Sequence, residues 1–360
     1  MYQNKSSCVT RRAFLDVTNS SAFAEACPVG KKGGTTKPCD ASAAIQKRQT
    51  RSMTAVTRAP VPAARPVARR ESGVLDSSSS ARSANPDSYQ CTGPVDNIDE
   101  RDRDDPLCAT EYVQEMYAHF RKNESTTWVT PDYMDDQPEI NQNMRAILVD
   151  WLVDVHLKFK LIPETIYLAV NLLDRYLEKR EVDRPGLQLV GVACLLIASK
   201  YEEIYPIQLR DLVYVCDRAY IGIEIIEMEE TVLKALSYKV TIASSHAFLV
   251  RYLKAAHADK KMVQHACYFL EGTLQSYHLM RYLPSELAAA SVMLARRCVN
   301  RHSWSPTLLQ YSKYCAEEVV PVARVILAEK FSAVPDLRAV NKKYSSRRYG
   351  EVASTDISDI

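Results

Sequence analysis

The segment GLQLVGVACLLIASK, from Gly186 to Lys200, constrains the fold of this chain more than any other. Apart from Gln188, its residues up to Ser199 are apolar or small on every helical face, and a helix of that kind is buried on all sides. It is too short to cross a bilayer, which needs about 20 apolar residues. The segment therefore predicts a central helix that is surrounded by other helices of the same domain.

The neighbouring segments show apolar residues at steps of three and four, which is the periodicity of amphipathic helices. The predicted helices around the central one cover residues 140–159, 163–177, 207–215 and about 223–236. Pro138 and Glu139 suit the first turn of the first of these helices. No segment alternates with the period of two that is typical of strands, so the sequence predicts an all-α fold.

A second apolar segment, PSELAAASVMLARR from Pro284 to Arg297, repeats the pattern of the first. The small and apolar residues of the two segments fall in step, with Leu287 matching Val190, Ala290 matching Ala193 and Leu294 matching Ile197. Glycine and alanine at these positions allow close packing of neighbouring helices. The repeat predicts two similar five-helix bundles in tandem, joined near residues 240–244.

The first hundred residues have a different composition. Runs such as APVPAARPVARR and DSSSSARSANPDS hold few large hydrophobic residues, so they bury too little apolar surface to offset chain entropy. Residues 1–90 carry 14 Lys and Arg against 6 Asp and Glu, whereas the remainder carries 32 against 38. We therefore predict a disordered, basic region over 1–105 that precedes a mildly acidic helical body.

Sequence motifs for catalysis are absent. The chain has no phosphate-binding G-x-x-x-x-G-K-[ST], no G-x-G-x-x-G and no H-E-x-x-H. Its ten cysteines include no C-x-x-C pair, and its seven histidines do not pair with cysteines or carboxylates at ligand spacing. We predict a binding module with no catalytic residue, no metal site and no cofactor.

Two charged residues break the apolar pattern. Lys200 ends the central helix, and Glu229 lies on the apolar stripe of the helix over 223–236. An unpaired buried charge costs several kcal/mol, so such groups find partners or reach water. Two interpretations are open. Lys200 extends to water while Glu229 lies at the edge of the stripe, or both are polar anchors at the rim of an apolar docking surface.

The helix over 140–159 carries more large apolar side chains on one side than a single face needs. Four of them point one way: Met144, Ile147, Leu148 and Trp151. Arg145 and Asp154 flank them. One interpretation is hydrophobic core. The other is a shallow exposed groove with an acidic rim, suited to short peptides that combine basic and apolar residues.

Several of these segments resemble the cyclin family. MRAILVDWLVDVH (144–156) resembles the signature of the cyclin box, and LQLVGVACLLIASKYEEIYP (187–206) resembles its third helix and the loop beyond. RYLP, PSEL and KKYSSRRYG fit the second box of mitotic cyclins, and HLKFKLIPETIYLAVNLLDRYL is closer to B-type than to A-type members. The resemblance implies an N-terminal box with a preceding helix over 106–242, a C-terminal box over 243–350 and a tail over 351–360.

The resemblance assigns roles to the unusual residues. In cyclins, the lysine of ASKYEE and a glutamate of the fifth helix bind the cyclin-dependent kinase, which implies that role for Lys200 and Glu229. Apolar kinase contacts are implied for Tyr112, Met116, Tyr201, Ile204, Leu233 and Tyr238. The family's docking patch for substrates or inhibitors with Arg-x-Leu motifs matches Met144, Ile147, Leu148, Trp151, Asp154, Leu187 and Gln188.

The segment RRAFLDVTN, residues 11–19, resembles the destruction box R-x-A-L-G-x-[IV]-x-N of mitotic cyclins. Arg11 and Asn19 match its ends, Phe14 replaces the leucine and Leu15 replaces the glycine. The resemblance implies recognition by the anaphase-promoting complex and degradation by ubiquitination, with the lysines of the same region as acceptors.

Taken together, the resemblance implies a non-enzymatic regulatory subunit that binds and activates a cyclin-dependent Ser/Thr kinase and recruits its substrates. It would control the onset of mitosis and the exit from it, in the nucleus and the cytoplasm. No nucleic acid or membrane partner is expected. Met1–Cys27 lacks the continuous apolar stretch of a secretory signal.

The main alternative is a transcription factor of the IIB type, which also uses two such helical repeats and binds DNA and polymerase. Two features disfavour it: the zinc ribbon of that family needs paired cysteines, and a net acidic body disfavours binding to a phosphate backbone. A transcription-linked cyclin is a second alternative, which the destruction-box-like segment disfavours.

Overall fold

The computed structural model of the protein describes residues 93–301, 304–332 and 337–355. Within these residues the chain forms twelve α-helices, several short 3₁₀ turns and no β-strand. The helices are α1 (Val113–Asn123), α2 (Gln142–Phe159), α3 (Pro163–Leu177), α4 (Arg184–Glu202), α5 (Leu209–Val215), α6 (Gly222–Ala235), α7 (Ser245–Ala255), α8 (Lys260–Thr273), α9 (Pro284–Cys298), α10 (Pro306–Ser312), α11 (Ala316–Ser332) and α12 (Ala339–Tyr344).

Helices α2–α6 form a first bundle and α7–α11 a second one, with α1 before them and α12 after them. Each bundle is built around one helix. In the first bundle α4 packs against α2, α3 and α6, and in the second α9 packs against α7, α8 and α11. Every residue from Val190 to Ser199 is buried. The all-α fold of two tandem five-helix bundles, predicted from the two apolar segments, is confirmed.

The first bundle is tight where α2 crosses α4. A Cβ atom at Gly191 would lie 2.9 Å from Cδ1 of Leu148, which is closer than real Cβ contacts. The absence of a side chain at residue 191 therefore lets the two helices approach, and Leu148 has no exposed surface. Glycine at this position is explained by helix packing and needs no special backbone conformation.

The helix boundaries follow from local capping. The Asn141 side chain accepts a hydrogen bond of 3.0 Å from the backbone N–H of Met144, so α2 begins at Gln142. The predicted placement of Pro138 and Glu139 in the first turn of this helix is therefore wrong. Proline does occupy the first turn of α3 and of α9, where its missing N–H is not needed.

A buried ionic cluster joins the two bundles. The Arg145 guanidinium on α2 donates to both carboxylate oxygens of Asp174 on α3, at 2.6 and 2.8 Å. The Tyr133 hydroxyl donates to the same carboxylate at 2.9 Å. Arg145 also donates to the carbonyl oxygen of Leu274, just after α8, at 3.0 Å. One buried side chain thus crosslinks α2 and α3 and ties them to the second bundle.

A second buried cluster attaches α12 to the second bundle. The Lys343 ammonium lies 2.7 and 2.6 Å from the two carboxylate oxygens of Glu271 on α8. The Tyr344 hydroxyl donates to Glu271 at 2.9 Å. The lysine and the carboxylate are each only 6% exposed. These contacts give the KKY part of the KKYSSRRYG segment a structural role.

Candidate functional site

Lys200 and Glu229 form an ion pair on the surface of the first bundle. The Lys200 Nζ lies 2.6 Å from Oε1 and 2.8 Å from Oε2 of Glu229, which joins the end of α4 to the middle of α6. The Lys200 side chain is 50% exposed and the Glu229 side chain 13%. The two residues that broke the apolar pattern are therefore partners, although 29 residues separate them in the sequence.

Large apolar side chains are exposed around this pair. Tyr201 and Ile204 follow Lys200 in the chain, and they are 50% and 88% exposed. Tyr238 follows α6 and is 63% exposed, whereas Leu233 on α6 is half-buried. Exposed large apolar side chains together with a polar pair are typical of a surface that binds another protein.

The turn that presents Tyr238 has an unusual backbone. Ser237 and Tyr238 are consecutive non-glycine residues with φ of 52° and 58°, in the left-handed region. The backbone N–H of Tyr238 bonds to the Leu233 carbonyl oxygen at 2.9 Å, and Arg175 donates to the Lys239 carbonyl oxygen at 2.9 Å. These bonds hold a conformation that is unfavourable for most residues and direct the chain from α6 toward the second bundle.

Tyr112 and Met116, the two predicted kinase contacts before the first box, lie at the cap and in the first turns of α1. They are 61% and 42% exposed. Helix α1 is attached to the second bundle, since the Tyr117 hydroxyl donates to the carbonyl oxygen of Ala247 on α7 at 3.0 Å. The sequence grouped α1 with the first box, whereas this hydrogen bond links it to the second bundle.

The seven residues of the predicted docking patch differ widely in burial. Leu148 and Leu187 have no exposed surface, so the expectation that they line an exposed groove is wrong for these two. Met144 and Trp151 are 6% and 8% exposed and show only their edges. The surface itself is formed by the half-buried residues, which are Ile147, Asp154 and Gln188.

The carboxylates near this patch contact α12. The Lys342 ammonium lies 3.5 Å from Oδ1 of Asp154, with the two side chains 71% and 39% exposed. Oδ1 of Asp150 accepts hydrogen bonds from Gln275 Nε2 at 2.6 Å and from the backbone N–H of Ala339 at 2.8 Å. Burial, together with the negative charge of Asp154, raises the pKa of Asp150 to about 6.

Arg145 was expected to flank the groove, and this expectation is wrong. Its side chain is 1% exposed and lies in the buried cluster with Asp174. Burial by itself would lower the pKa of the guanidinium, but the adjacent Asp174 carboxylate raises it above its ordinary value. Sequence reasoning missed this pair because its partners are 29 residues apart on two different helices.

Some expectations fall where the structure gives no information. The destruction-box residues Arg11, Phe14 and Asn19 lie outside the described residues.

In the described parts of the chain, no cluster of three or more His, Cys, Asp or Glu side chains has a geometry that could hold a metal ion. Among the same residues, no helix is both long enough and apolar enough to cross a membrane.

Comparisons with known proteins agree with this architecture. Residues 115–241 match the cyclin N-terminal domain, and residues 243–358 match the cyclin C-terminal domain. The chain is 42% identical over 262 residues to Cyclin-B2-1 of Oryza sativa subsp. japonica, which is 72% of this chain and 62% of the relative. It is 41% identical over 286 residues to Cyclin-B1-3 of Arabidopsis thaliana, covering 78% of this chain and 66% of that protein.

The fold also matches the X-ray structure of a viral cyclin from herpesvirus saimiri, with a TM-score of 0.55 and 21% identity over 60% of this chain and 97% of that one. The two domain matches cover more than half of the chain, which therefore belongs to the cyclin family. Within the family its sequence is similar to the B-type, or G2/mitotic-specific, members. The chain spans about 62% of the length of the first of these relatives.

Proposed function

We propose that this protein is the regulatory subunit of a cyclin-dependent Ser/Thr kinase that acts in mitosis. The observation that carries the proposal is the Lys200–Glu229 pair, held at hydrogen-bonding distance within a surface of exposed apolar side chains. The transfer of phosphate from ATP belongs to the kinase partner. The cyclin acts by binding one conformation of the kinase.

The physical basis of activation is a shift between kinase conformations. A rigid helical surface that fits only the active placement of the kinase's mobile elements favours that placement by its difference in affinity for the two states. The Lys200–Glu229 pair suits this role because each side chain is held by the other before binding. Little conformational entropy is then lost when the partner docks.

The proposal is tested by mixing the full chain with a purified monomeric cyclin-dependent kinase and ATP. The transfer of phosphate to a short Ser/Thr peptide is then measured with and without the chain. We expect a large increase in kinase activity that saturates with cyclin concentration. If the folded protein neither binds nor activates any member of a panel of such kinases, the proposed function is wrong.

Substrate recruitment is the second part of the proposal. The half-buried Ile147 offers an apolar side chain for the leucine of an Arg-x-Leu motif, the half-buried Asp154 offers a carboxylate for its arginine, and Gln188 offers an amide for hydrogen bonding. Ile147→Ala with Gln188→Ala should raise the KM for a substrate with this motif and leave the KM unchanged for a peptide without it. An equal loss for both substrates would assign these residues to stability.

The third part of the proposal is regulated destruction, based on the resemblance of residues 11–19 to a destruction box. Arg11 would pair with acidic groups of the receptor, and Phe14 would occupy its apolar pocket. Arg11→Ala with Phe14→Ala should lengthen the half-life of the chain in extract with active anaphase-promoting complex. An unchanged half-life would contradict this part alone.

The proposed location, in both nucleus and cytoplasm, follows from the same family resemblance. Imaging of the tagged chain through one division tests it. Exclusion from the nucleus at every stage would contradict it.

A further inference from the structure

Helix α1 carries two predicted kinase contacts but has no buried residue of its own. Its position therefore depends on a small number of polar and aromatic contacts. Tyr117 donates to the Ala247 carbonyl oxygen at 3.0 Å. Arg121 donates to the Tyr252 hydroxyl at 2.9 Å and also to the Ser312 carbonyl oxygen. These acceptors all belong to the second bundle.

Arg251 on α7 connects these contacts to the segment that precedes α1. It is 6% exposed, and its two terminal nitrogens lie 2.5 and 2.6 Å from the two carboxylate oxygens of Asp99. The guanidinium carbon lies 5.2 Å from the ring centre of Tyr117 on α1 and 4.8 Å from that of Tyr311 on α10. One side chain therefore contacts the preceding segment, α1 and the second bundle.

Residues 96–102, here called the N-terminal strap, lie against the second bundle. The Lys254 ammonium lies 2.8 Å from Asp99 and 2.6 Å from Asp102. Ile98 is buried, and the backbone N–H of Asp96 donates to the Thr307 hydroxyl at 3.2 Å. Ten residues, 103–112, separate the strap from α1, so fixing the strap restricts where α1 can lie.

We infer that Arg251 is a positioning residue for kinase binding. It holds Asp99 of the strap and packs against Tyr117, so that α1 presents Tyr112 and Met116 in one orientation. The second bundle, on which no kinase contact is predicted, contributes to kinase binding in this way. This inference rests on the proposed function, because it concerns the same partner.

The physical argument concerns the entropy of α1. A helix held only by half-buried contacts becomes mobile when its anchor is removed, and a mobile helix must be ordered again when the kinase binds. That ordering weakens binding although no contact with the kinase is lost. Arg251→Gln and Asp99→Asn should therefore have similar effects, and the double variant should be little worse than either one.

The first experiment needs no kinase. Hydrogen exchange of backbone amides is compared between the full-length wild type and Arg251→Gln. We expect faster exchange over residues 113–123 and unchanged exchange in the central helices α4 and α9. Lys343→Met is the control, because it disrupts a buried pair in the second bundle without touching the strap or α1. Unchanged exchange over 113–123 would overturn the inference even if the kinase binds.

The second experiment measures kinase affinity by a double-mutant cycle. Arg251→Gln should weaken binding about fivefold in the wild type. In a chain that also carries Tyr112→Ala and Met116→Ala, the same change should have almost no further effect, because the contacts that it positions are gone. Lys343→Met should bind the kinase as the wild type does, at a temperature where both are folded.

The outcomes separate the inference from the proposed function. A wild type that binds no kinase overturns both. A wild type that binds, with Arg251→Gln equally tight, overturns the inference alone. A fivefold loss that persists in the Tyr112→Ala/Met116→Ala chain also overturns it, because Arg251 would then act through general damage to the fold.

Discussion

Two lysine–glutamate pairs in this protein have almost the same geometry and opposite surroundings. The Lys343–Glu271 distances are 2.7 and 2.6 Å, and the Lys200–Glu229 distances are 2.6 and 2.8 Å. Both members of the first pair are 6% exposed, whereas in the second pair Lys200 is 50% exposed and Glu229 13%. The first pair lies between α8 and α12, and the second lies on a surface with exposed aromatic and aliphatic side chains.

Burial determines what an ion pair contributes to the folded protein. When one partner of a buried pair is removed, the other charge stays in an apolar site, so the pair is required for stability. An exposed pair contributes little to stability, because water and salt screen it. Stability therefore gives little reason for Lys200 and Glu229 to interrupt apolar surfaces, and this is why we propose that they bind a partner.

The largest effect is expected from breaking the buried pair. Lys343→Met leaves the Glu271 carboxylate buried without its cation, and it should lower the free energy of unfolding by about 3–5 kcal/mol. Urea denaturation measures this change. The control is Lys342→Met at the neighbouring residue, which is 71% exposed and should change stability by less than about 0.5 kcal/mol. Equal stability of the two variants would contradict the comparison.

The exposed pair should show the opposite behaviour. Lys200→Ala with Glu229→Ala should weaken kinase binding at least tenfold, about 1.4 kcal/mol, and change the stability of the free chain by less than about 1 kcal/mol. Binding is measured by titration calorimetry and stability by urea denaturation. A folded double variant that binds the kinase normally would refute the assignment.

A matched control for the exposed pair lies on the same helix. Glu230 and Lys234 of α6 form an exposed ion pair with a distance of 2.6 Å, and their side chains are 61% and 62% exposed. Glu230→Ala with Lys234→Ala removes the same two charges without touching Lys200 or Glu229. Kinase affinity should stay within about twofold of the wild type.

Asp150 is a half-buried carboxylate whose partners are the Gln275 side chain and the start of α12. Burial raises its pKa to about 6 in the folded state, above the usual value of 3.8. Its contribution to stability is therefore greatest below pH 4 and is lost as the pH rises through 6. Asp150→Asn carries no charge and keeps an oxygen acceptor for Gln275 and Ala339. It has one acceptor oxygen fewer than the carboxylate, which also accepts from the backbone of Arg338.

We expect Asp150→Asn to raise Tm by about 2–4 °C at pH 7.5 and to lose this advantage as the pH falls to 4. Thermal unfolding at a series of pH values measures the difference. Asp154→Asn, which removes a charge from the next carboxylate on α2, is the control for the loss of charge. A lower Tm for Asp150→Asn at pH 7.5 would mean that the carboxylate charge itself stabilises the start of α12.

The smallest effect is expected from the pair between Lys342 and Asp154, which is both long and exposed. Lys342→Met frees Asp154 for a peptide arginine, so the affinity for an Arg-x-Leu peptide should rise by no more than about twofold. Fluorescence anisotropy with a labelled peptide measures this change. A tenfold loss of peptide affinity would show instead that Lys342 belongs to the docking surface.

Much of the fold follows from local pattern. The first residue of α3 was predicted, because Pro163 sets φ there, and the apolar steps predicted that the helix reaches Leu177, where it ends. The start of α2 was predicted wrongly, because Asn141 caps the helix and this cap outweighs the signal from Pro138 and Glu139. The apolar stripe over 144–151 did not show which of its residues are exposed and which are buried. Leu148 is buried because Gly191 allows α4 to pack closely against it.

Sequence alone predicted the number of helices in each bundle, the two central helices, and two unusual charged residues, Lys200 on a central helix and Glu229 on the apolar stripe of α6. Apolar periodicity carries this information because a helix must bury its apolar face, whatever covers it. The tertiary structure alone decided the partners: Glu229 for Lys200, Asp174 for Arg145, and Asp99 for Arg251. These pairs join elements 29, 29 and 152 residues apart, and spacing along the chain says nothing about which distant elements pack together.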